Sequence, residues 1–386
     1  MKSILIVGAG RQGKGFLGEV FEAAGWEVNF LDCDIKVIDS LRAGPYKVKL
    51  YRKEGMTERI VEKYNVFPCD EEYSCLEAVL HADLIALSLY PEQIREAAGY
   101  LGRGLVERAR GHYGKVTILS CTNINHLIPD IQEMFERQME DEASLEWFRE
   151  NAVIRDVIVR RSTDAESNSS RELVSLAVMS MLIQKPITVD IEDVEFMELK
   201  DQVEELKDIK LYTYNAPHAT CAYAGHLKGY RMINESEDDP EIAKLMGEVL
   251  EEAIQGLSKE FRIPAEEIRV FCNMPQTKDK MDDSIYRVAK DPMRKLGRDD
   301  RLTGNAMFCY KYGIYPKALI RSIANGMAYD EAKDEKAVEI QQLIRSQGIE
   351  KEVSQVTGVP LEHDLVKQVS AVYREISNER TGNNSK

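Results

Sequence analysis

The sequence predicts an α/β protein: a doubly wound N-terminal domain over residues 1–200, followed by a mainly α-helical domain over residues 201–386. Three observations carry this reading. Short apolar runs alternate with helical patterns through the first third of the chain, as a parallel sheet covered on both faces requires. The first of those runs leads directly into a glycine loop, Gly8-Ala9-Gly10-Arg11-Gln12-Gly13. Beyond residue 200 the apolar positions recur at helical spacing, and a length of 386 residues is more than one ordinary core fills.

In order along the chain, residues 3–7 read as a buried strand, and residues 16–24 as a helix ended by Gly25. Residues 28–31 form the second strand. Residues 48–51 and 59–64 flank Glu54-Gly55 and predict an antiparallel hairpin inserted into the parallel pattern. Residues 84–89 and 116–120 are two further buried strands, with helices expected at 91–110 and 125–138. The acidic stretch 140–150 reads as a helix end and surface connection, and 153–160 and 187–194 as strands. Residues 241–261 set Ile242, Leu245, Met246, Val249, Leu250, Ala253, Ile254 and Leu257 on one stripe, a strongly amphipathic helix. Helices are also expected at 316–328, 332–347 and 361–376, and a frayed polar tail at 378–386.

Composition narrows the function. A net charge of -15 argues against nonspecific nucleic-acid binding, which needs clustered positive charge. No apolar run reaches the roughly 18–20 residues that span a bilayer, so neither a membrane nor a nucleic acid is expected as a partner. The partner expected is a small molecule, with the chain as a monomer or small homo-oligomer. Seven scattered cysteines without a CxxC pair suggest a reducing, cytoplasmic setting with no disulfide framework and no metal site. Cys121 and Cys221 read as small buried fillers, and His126 and His226 as structural or surface residues.

The glycine loop is GxGxxG in its required setting, after a strand and at the start of a helix. Gly8 permits the tight turn, Gly10 lets the backbone approach a pyrophosphate, and Gly13 lets helix and strand pack closely. With Ala9, Arg11 and Gln12 these residues form the candidate cofactor loop of a Rossmann-type domain. The helix start offers unpaired N–H groups to phosphates. Asp32 ends the second strand, where a carboxylate can accept bonds from an adenosine ribose. Its charge would repel a 2′-phosphate, so the cofactor expected is NAD rather than NADP; Asp34 could share the role, and FAD is the alternative dinucleotide.

The second informative stretch is Lys210-Leu-Tyr-Thr-Tyr-Asn215-Ala-Pro-His218. Asn215 suits an N-cap and Pro217 a first helical turn. His218, three residues after Asn215, can point to the same side, and Lys210 sits just upstream. A lysine brought toward neutrality by partial burial can take a hydroxyl proton as hydride leaves carbon, while an amide and an imidazole N–H stabilise the developing alkoxide. Solvated lysine, helix-capping asparagine and structural histidine are the competing uses of the same residues.

Lys-x4-Asn-x2-His resembles the signature of the polyol-specific long-chain dehydrogenases, the mannitol dehydrogenase family. GAGRQGKGF at the start is similar to that family's GAG-x-x-G-x-GF, and KLYTYNAPHATCAYAG to its catalytic block. DPMRKLGRDDRL, residues 291–302, resembles its PxRKLxxxDRL block. Order and spacing agree over nearly the whole chain, and the length is that of the short, phosphate-using members.

The resemblance implies a helical substrate domain, no metal, and a cleft site in which Lys210 is the general acid/base and Asn215 and His218 polarise the reacting oxygen. It implies a second amide at Asn123, in Ser120-Cys121-Thr122-Asn123, with Thr122 toward the cofactor; a helix cap is the other use of Asn123. Arg294, Lys295 and Arg301 are candidates for a substrate phosphate or, equally, for ion pairs within the fold. The sequence departs from the family at Val159, where an aspartate is usual before Arg160. The activity implied is interconversion of mannitol 1-phosphate and fructose 6-phosphate. A hexuronate or unphosphorylated polyol is the alternative substrate, and a non-catalytic NAD(H) sensor the alternative class.

Overall fold

The computed structural model describes residues 1–52, 54–122, 124–177, 180–272 and 283–383. It divides into two compact units, Met1–Lys207 and Asp208–Lys386.

The strands of the first unit are β1 (Ser3–Val7), β2 (Glu27–Asp32), β3 (Tyr46–Arg52), β4 (Gly55–Val61), β5 (Tyr64–Pro68), β6 (Leu84–Leu87), β7 (Val116–Ser120), β8 (Ala152–Val159), β9 (Thr163–Asp164), β10 (Glu172–Leu176), β11 (Met181–Gln184) and β12 (Met197–Lys200). The main sheet runs β12-β11-β8-β7-β6-β1-β2-β5. From β5 to β8 every pair is parallel, which gives the doubly wound order 3-2-1-4-5-6. β11 joins β8 antiparallel and β12 joins β11 parallel.

The alternation of side chains explains why these strands read as unbroken apolar runs. Ile4 and Ile6 enter one core while Leu5 and Val7 enter the other, so both faces of β1 need apolar groups. Helices α3 (Leu76–His81), α4 (Ile94–Arg110), α5 (Ile128–Glu136) and α6 (Glu142–Asn151) cover one face. The other is covered by α1 (Glu19–Ala23), α2 (Ile35–Arg42) and a small second sheet, β4-β3-β10-β9.

Several expectations need correction. The hairpin at Glu54-Gly55 exists, but it belongs to the second sheet, and the run 59–64 divides. β4 stops at Val61, and Tyr64 opens β5 at the edge of the main sheet beside β2. Residues 187–194 are not a strand. Ile191 and Val194 are buried from an irregular segment held by Thr188 N–H to Thr117 Oγ1 (2.9 Å) and Trp26 Nε1 to Asp193 (3.1 Å). The stretch 140–150 is a full helix, α6, capped by Asp141 and anchored by buried Phe148; its many charges lie on the open side.

The absence of a disulfide is also overturned. Cys33 and Cys69 follow the ends of the adjacent parallel strands β2 and β5, with Cα atoms 4.9 Å apart, and are joined. Strand pairing brings together two residues that are 36 positions apart in sequence. Cys121 and Cys221 are buried, as expected of small fillers.

The second unit is helical. α7 (Val203–Thr213) runs across the division. It is followed by α8 (Asn215–Lys228), α9 (Ile233–Glu237), α10 (Pro240–Phe261), α11 (Ala265–Cys272), α12 (Ile285–Ala289), α13 (Pro292–Lys295), α14 (Thr303–Lys311), α15 (Lys317–Met327), α16 (Glu335–Gln347), α17 (Ile349–Thr357) and α18 (Asp364–Asn383). α8 is central, and its fully buried Ala216, Ala219 and Ala222 are small enough for neighbouring helices to approach closely. α10 shows the expected stripe, with Asp239 capping it through Glu241 N–H and Ile242 N–H. Residues 378–383 of the expected tail continue α18 to Asn383, with Arg380 bonded to Asp330 (3.0 Å) and to the Ala328 carbonyl; residues 384–386 lie outside the described residues. Among the described residues no helix is long and apolar enough to cross a membrane, and no three His, Cys, Asp or Glu side chains converge as metal ligands.

Candidate active site

The glycine loop turns directly off β1. Gly8 has φ +93°, and a Cβ there would lie 2.4 Å from the Ser88 carbonyl oxygen, so only glycine fits. A Cβ on Gly13 would fall 2.1 Å from the Gly8 carbonyl oxygen. The chain after the loop enters a π-helical turn, Gly13–Gly18, before α1, and π-turns cluster at functional sites. Gly13→Ala should force the loop open. We expect NADH affinity to fall at least about tenfold and the melting temperature to drop, since overpacking a tight site costs about 1–3 kcal/mol. Fluorescence titration with NADH and a thermal melt would check both.

Asp32 belongs to the same construction. One carboxylate oxygen accepts the Ala9 N–H (2.7 Å) and the other accepts the Asp34 N–H (2.8 Å). Each oxygen keeps a lone pair for a ribose hydroxyl. Asp34 instead caps α2 through the Lys36 N–H (2.9 Å). Gln12 does not cap the turn; its buried Nε2 has no hydrogen-bond partner among the described residues, so it is a donor left for a bound group. Arg11 pairs with Asp164 (2.9 Å) on the surface. A close-approach backbone, an orphaned buried donor and a carboxylate at the strand end fit a dinucleotide.

Sequence reasoning missed Lys14. Its ammonium is buried beside the loop and donates to the carbonyls of Asn168 (2.6 Å) and Ser170 (2.9 Å). Burial pushes its pKa down to about 8, against the opposing pull of Asp32. An apparently ordinary lysine inside a glycine motif gave no signal that it would turn inward.

In the second unit, α7 and α8 meet at a break. Pro217 has no N–H to give the Thr213 carbonyl, and its ring crowds that carbonyl, so the helix parts between Thr213 and Asn215. Tyr214, itself right-handed, precedes α8 without capping it, and its N–H bonds the Lys210 carbonyl (3.0 Å). Asn215 is therefore not the N-cap but the first helical residue, and its carboxamide is not spent on a cap. Asn215 and His218 share one face of α8, while Lys210 lies in the last turn of α7. All three are half-buried. Burial, foremost, lowers the His218 pKa, with Arg287 and Arg301 adding to it and Asp283 and Glu237 opposing. Burial thus favours the neutral imidazole, which keeps one N–H donor.

The structure brings the block 291–302 to this corner. Tyr212 in α7 donates to the Asp299 carbonyl (3.0 Å). Buried Asn305, in α14, donates to the carbonyls of both Tyr212 (2.7 Å) and Arg301 (2.8 Å), joining the end of α7 to the basic block. Its place after the DRL triplet carried no sequence signal. Arg301 bonds Asp300 through Nε (2.7 Å) and lies in the electrostatic range of His218. Arg294 bridges Asp291 and Asp300 and is mostly exposed. Lys295 turns inward and donates to the Val288 carbonyl; burial first, then Arg301 and Arg294, push its pKa down to about 8.

Thr122 is buried just past β7, where its hydroxyl accepts the Ile124 N–H (2.9 Å). Asn123 lies outside the described residues. Val159 ends β8, and the buried carboxylate of that strand is instead Asp156, which pairs with buried Lys207 (2.5 Å). Lys207 also donates to the Ile124 carbonyl (3.1 Å) and so ties down the segment beyond β7. Desolvation raises the Asp156 pKa although Lys207 opposes it. His126 pairs with Glu204 (2.7 Å), and His226 with Asp330 (2.8 Å).

A sheet of order 3-2-1-4-5-6 opened by a glycine loop and followed by a helical unit is the architecture of a dinucleotide-dependent oxidoreductase. The family model described as the mannitol dehydrogenase Rossmann domain matches residues 2–207, and that described as the mannitol dehydrogenase C-terminal domain matches residues 202–377. The chain belongs to the mannitol dehydrogenase family and is a polyol dehydrogenase.

Among its relatives, the mannitol-1-phosphate 5-dehydrogenase of Caldanaerobacter subterraneus subsp. tengcongensis is 27% identical over 382 residues, covering 97% of this chain and 99% of that one. The enzyme of that name from Bacillus pumilus is 29% identical over 372 residues, covering 94% and 97%. In fold the chain is similar to a D-sorbitol dehydrogenase in substrate-free form, with TM-score 0.78, 16% identity and coverage of 98% and 94%. It is also similar to Pseudomonas fluorescens mannitol 2-dehydrogenase in a ternary complex with NAD and D-mannitol, with TM-score 0.68, 14% identity and coverage of 98% and 92%.

Proposed function

We propose that the chain interconverts a sugar-alcohol phosphate and a ketose phosphate, mannitol 1-phosphate and fructose 6-phosphate, with NAD and with Lys210 as general acid/base. Residues 1–200 hold the cofactor and residues 201–386 the substrate. The observation that supports this is the break at Pro217, which puts Asn215 and His218 on one face at the start of α8 and Lys210 in the last turn of α7, with Arg301 acting electrostatically on His218. The near-full-length likeness to mannitol-1-phosphate 5-dehydrogenases supports the substrate.

NAD⁺, when bound, supplies the hydride acceptor. The Lys210 amine takes the hydroxyl proton as the carbon–hydrogen bond breaks, and in the reverse direction returns it to the ketose carbonyl oxygen. The neutral His218 ring and the Asn215 amide donate to that oxygen and stabilise its developing charge. Asn123, by the family pattern, adds a further amide, and Thr122 lies toward the cofactor. Arg301, with Arg294 at the rim, receives the phosphate. The Arg301 guanidinium bonds Asp300 through Nε, which leaves its terminal nitrogens as donors. Lys295 lends charge from beneath.

A second reading, an unphosphorylated polyol or hexuronate, draws on Asp300, whose carboxylate already partly neutralises both guanidinium groups. Matched substrates separate the two. Following NADH absorbance, we expect turnover of mannitol 1-phosphate and fructose 6-phosphate well above mannitol and fructose. Arg301→Gln should raise KM for the phosphorylated pair about tenfold or more, the loss expected for one charge-assisted hydrogen bond, and leave the free sugars unchanged. Equal use of free and phosphorylated forms would favour the second reading.

A further inference from the structure

A serine-rich segment of the first unit lies along the glycine loop, and neither the motif nor the family pattern called attention to it. Thr163 crowds Gly15, where an added Cβ would come 2.4 Å from its Cγ2. Asp164 pairs with Arg11. The main chain is then pinned twice by Lys14, at the Asn168 and Ser170 carbonyls, and once by Ser40, whose hydroxyl donates to the Ser169 carbonyl (2.6 Å). Ser167 and Ser170 close the turn through the Ser170 N–H to the Ser167 carbonyl (3.2 Å) and the Ser167 N–H to the Ser170 hydroxyl (2.9 Å).

The consequence is the position of one amide. A Cβ built on Gly10 would meet Asn168 first, with Oδ1 at 3.5 Å and Nδ2 at 4.0 Å. Gly10 is the glycine over which a dinucleotide pyrophosphate passes in this type of loop. The Asn168 side chain is exposed while its own backbone is held by a buried ammonium. An anchored backbone carrying an exposed amide suits a ligand-binding residue, because the main chain that presents the amide need not be ordered on binding.

We propose that Asn168 is a cofactor-binding residue: its carboxamide nitrogen donates a hydrogen bond to the dinucleotide pyrophosphate above Gly10, with Lys14 as the positioning residue that fixes it there. This rests on the reading of the glycine loop as an NAD site. A half-turn of the amide exchanges its oxygen and nitrogen without altering its shape, so the donor can face the phosphate.

The test compares wild type, Asn168→Ala and Asn168→Asp by fluorescence titration with NADH and by competition with ADP-ribose and with adenosine. Asn168→Ala should weaken NADH and ADP-ribose about tenfold, the loss expected for one hydrogen bond to a charged group. Asn168→Asp should weaken them more, by repelling the phosphates. Adenosine, which has no phosphate, should bind all three proteins alike. Unchanged NADH and ADP-ribose binding in both variants would overturn the proposal while leaving the cofactor site in place. Equal loss of adenosine would also overturn it, by showing a structural effect. Failure of the wild type to bind NADH would remove the reading beneath it.

Discussion

Lys210→Ala should lose about a hundred- to ten-thousand-fold in kcat, the range that general acid/base groups contribute, while binding NADH as the wild type does. Lys210 is three residues before the end of α7 and outside the glycine loop proposed to hold NADH, so its truncation should lower turnover and leave NADH affinity unchanged. The split between kcat and cofactor affinity distinguishes chemistry from folding. Stopped assays of mannitol 1-phosphate oxidation, paired with NADH titration, measure both. Turnover within a few fold of wild type would mean that another group moves the proton.

Lys207→Met should cost about 3–5 kcal/mol of stability, since it leaves the Asp156 carboxylate buried without its counter-charge. In a unit of this size that corresponds to roughly 10 °C in melting temperature. The pH dependence has a definite sign. Burial raises the Asp156 pKa in the folded state, and losing Lys207 raises it further. A carboxyl whose folded pKa exceeds its unfolded value favours folding at acid pH, and that contribution is lost as pH rises through the folded pKa. The deficit of Lys207→Met should therefore shrink on acidification. Asp156→Leu combined with Lys207→Met should recover much of the loss, because an apolar pair replaces the ion pair at little cost. Thermal melts across pH, for the single and double variants, check all three statements.

Much of the fold was legible because it depends on periodicity. Strands β1, β6 and β7 are buried on both faces and announce themselves as apolar runs, and α10 carries a clean stripe. The misreadings have a common physical origin. The segment 187–194 has the residues of a strand, but Asp190, Glu192 and Asp193 and a fixed turn hold it as an irregular segment whose apolar side chains still reach the core. α6 is acidic, so its single anchoring face around Phe148 was outweighed by its exposed charges.

The candidate site was legible where motif and backbone demand coincide, at Gly8 and Gly13; at Pro217 the first helical turn was legible but not the helix before it or the break between the two. It was not legible where function depends on contacts across the fold. The Asp156–Lys207 pair, the reach of Lys14 to Asn168 and the Asn305 clamp each link residues between 51 and 154 positions apart. Local sequence cannot express such pairings. The Cys33–Cys69 junction is the same case, since only the parallel pairing of β2 and β5 makes neighbours of them.

The most direct test of the central claim is Lys210→Arg assayed for NADH consumption with fructose 6-phosphate. Arginine keeps the positive charge but cannot give up its proton at accessible pH. If the amine must exchange a proton with the reacting oxygen, this variant will be as inactive as Lys210→Ala. Sustained reduction by Lys210→Arg at near the wild-type rate would show that only a positive charge is needed there, and would contradict the assignment of Lys210 as general acid/base.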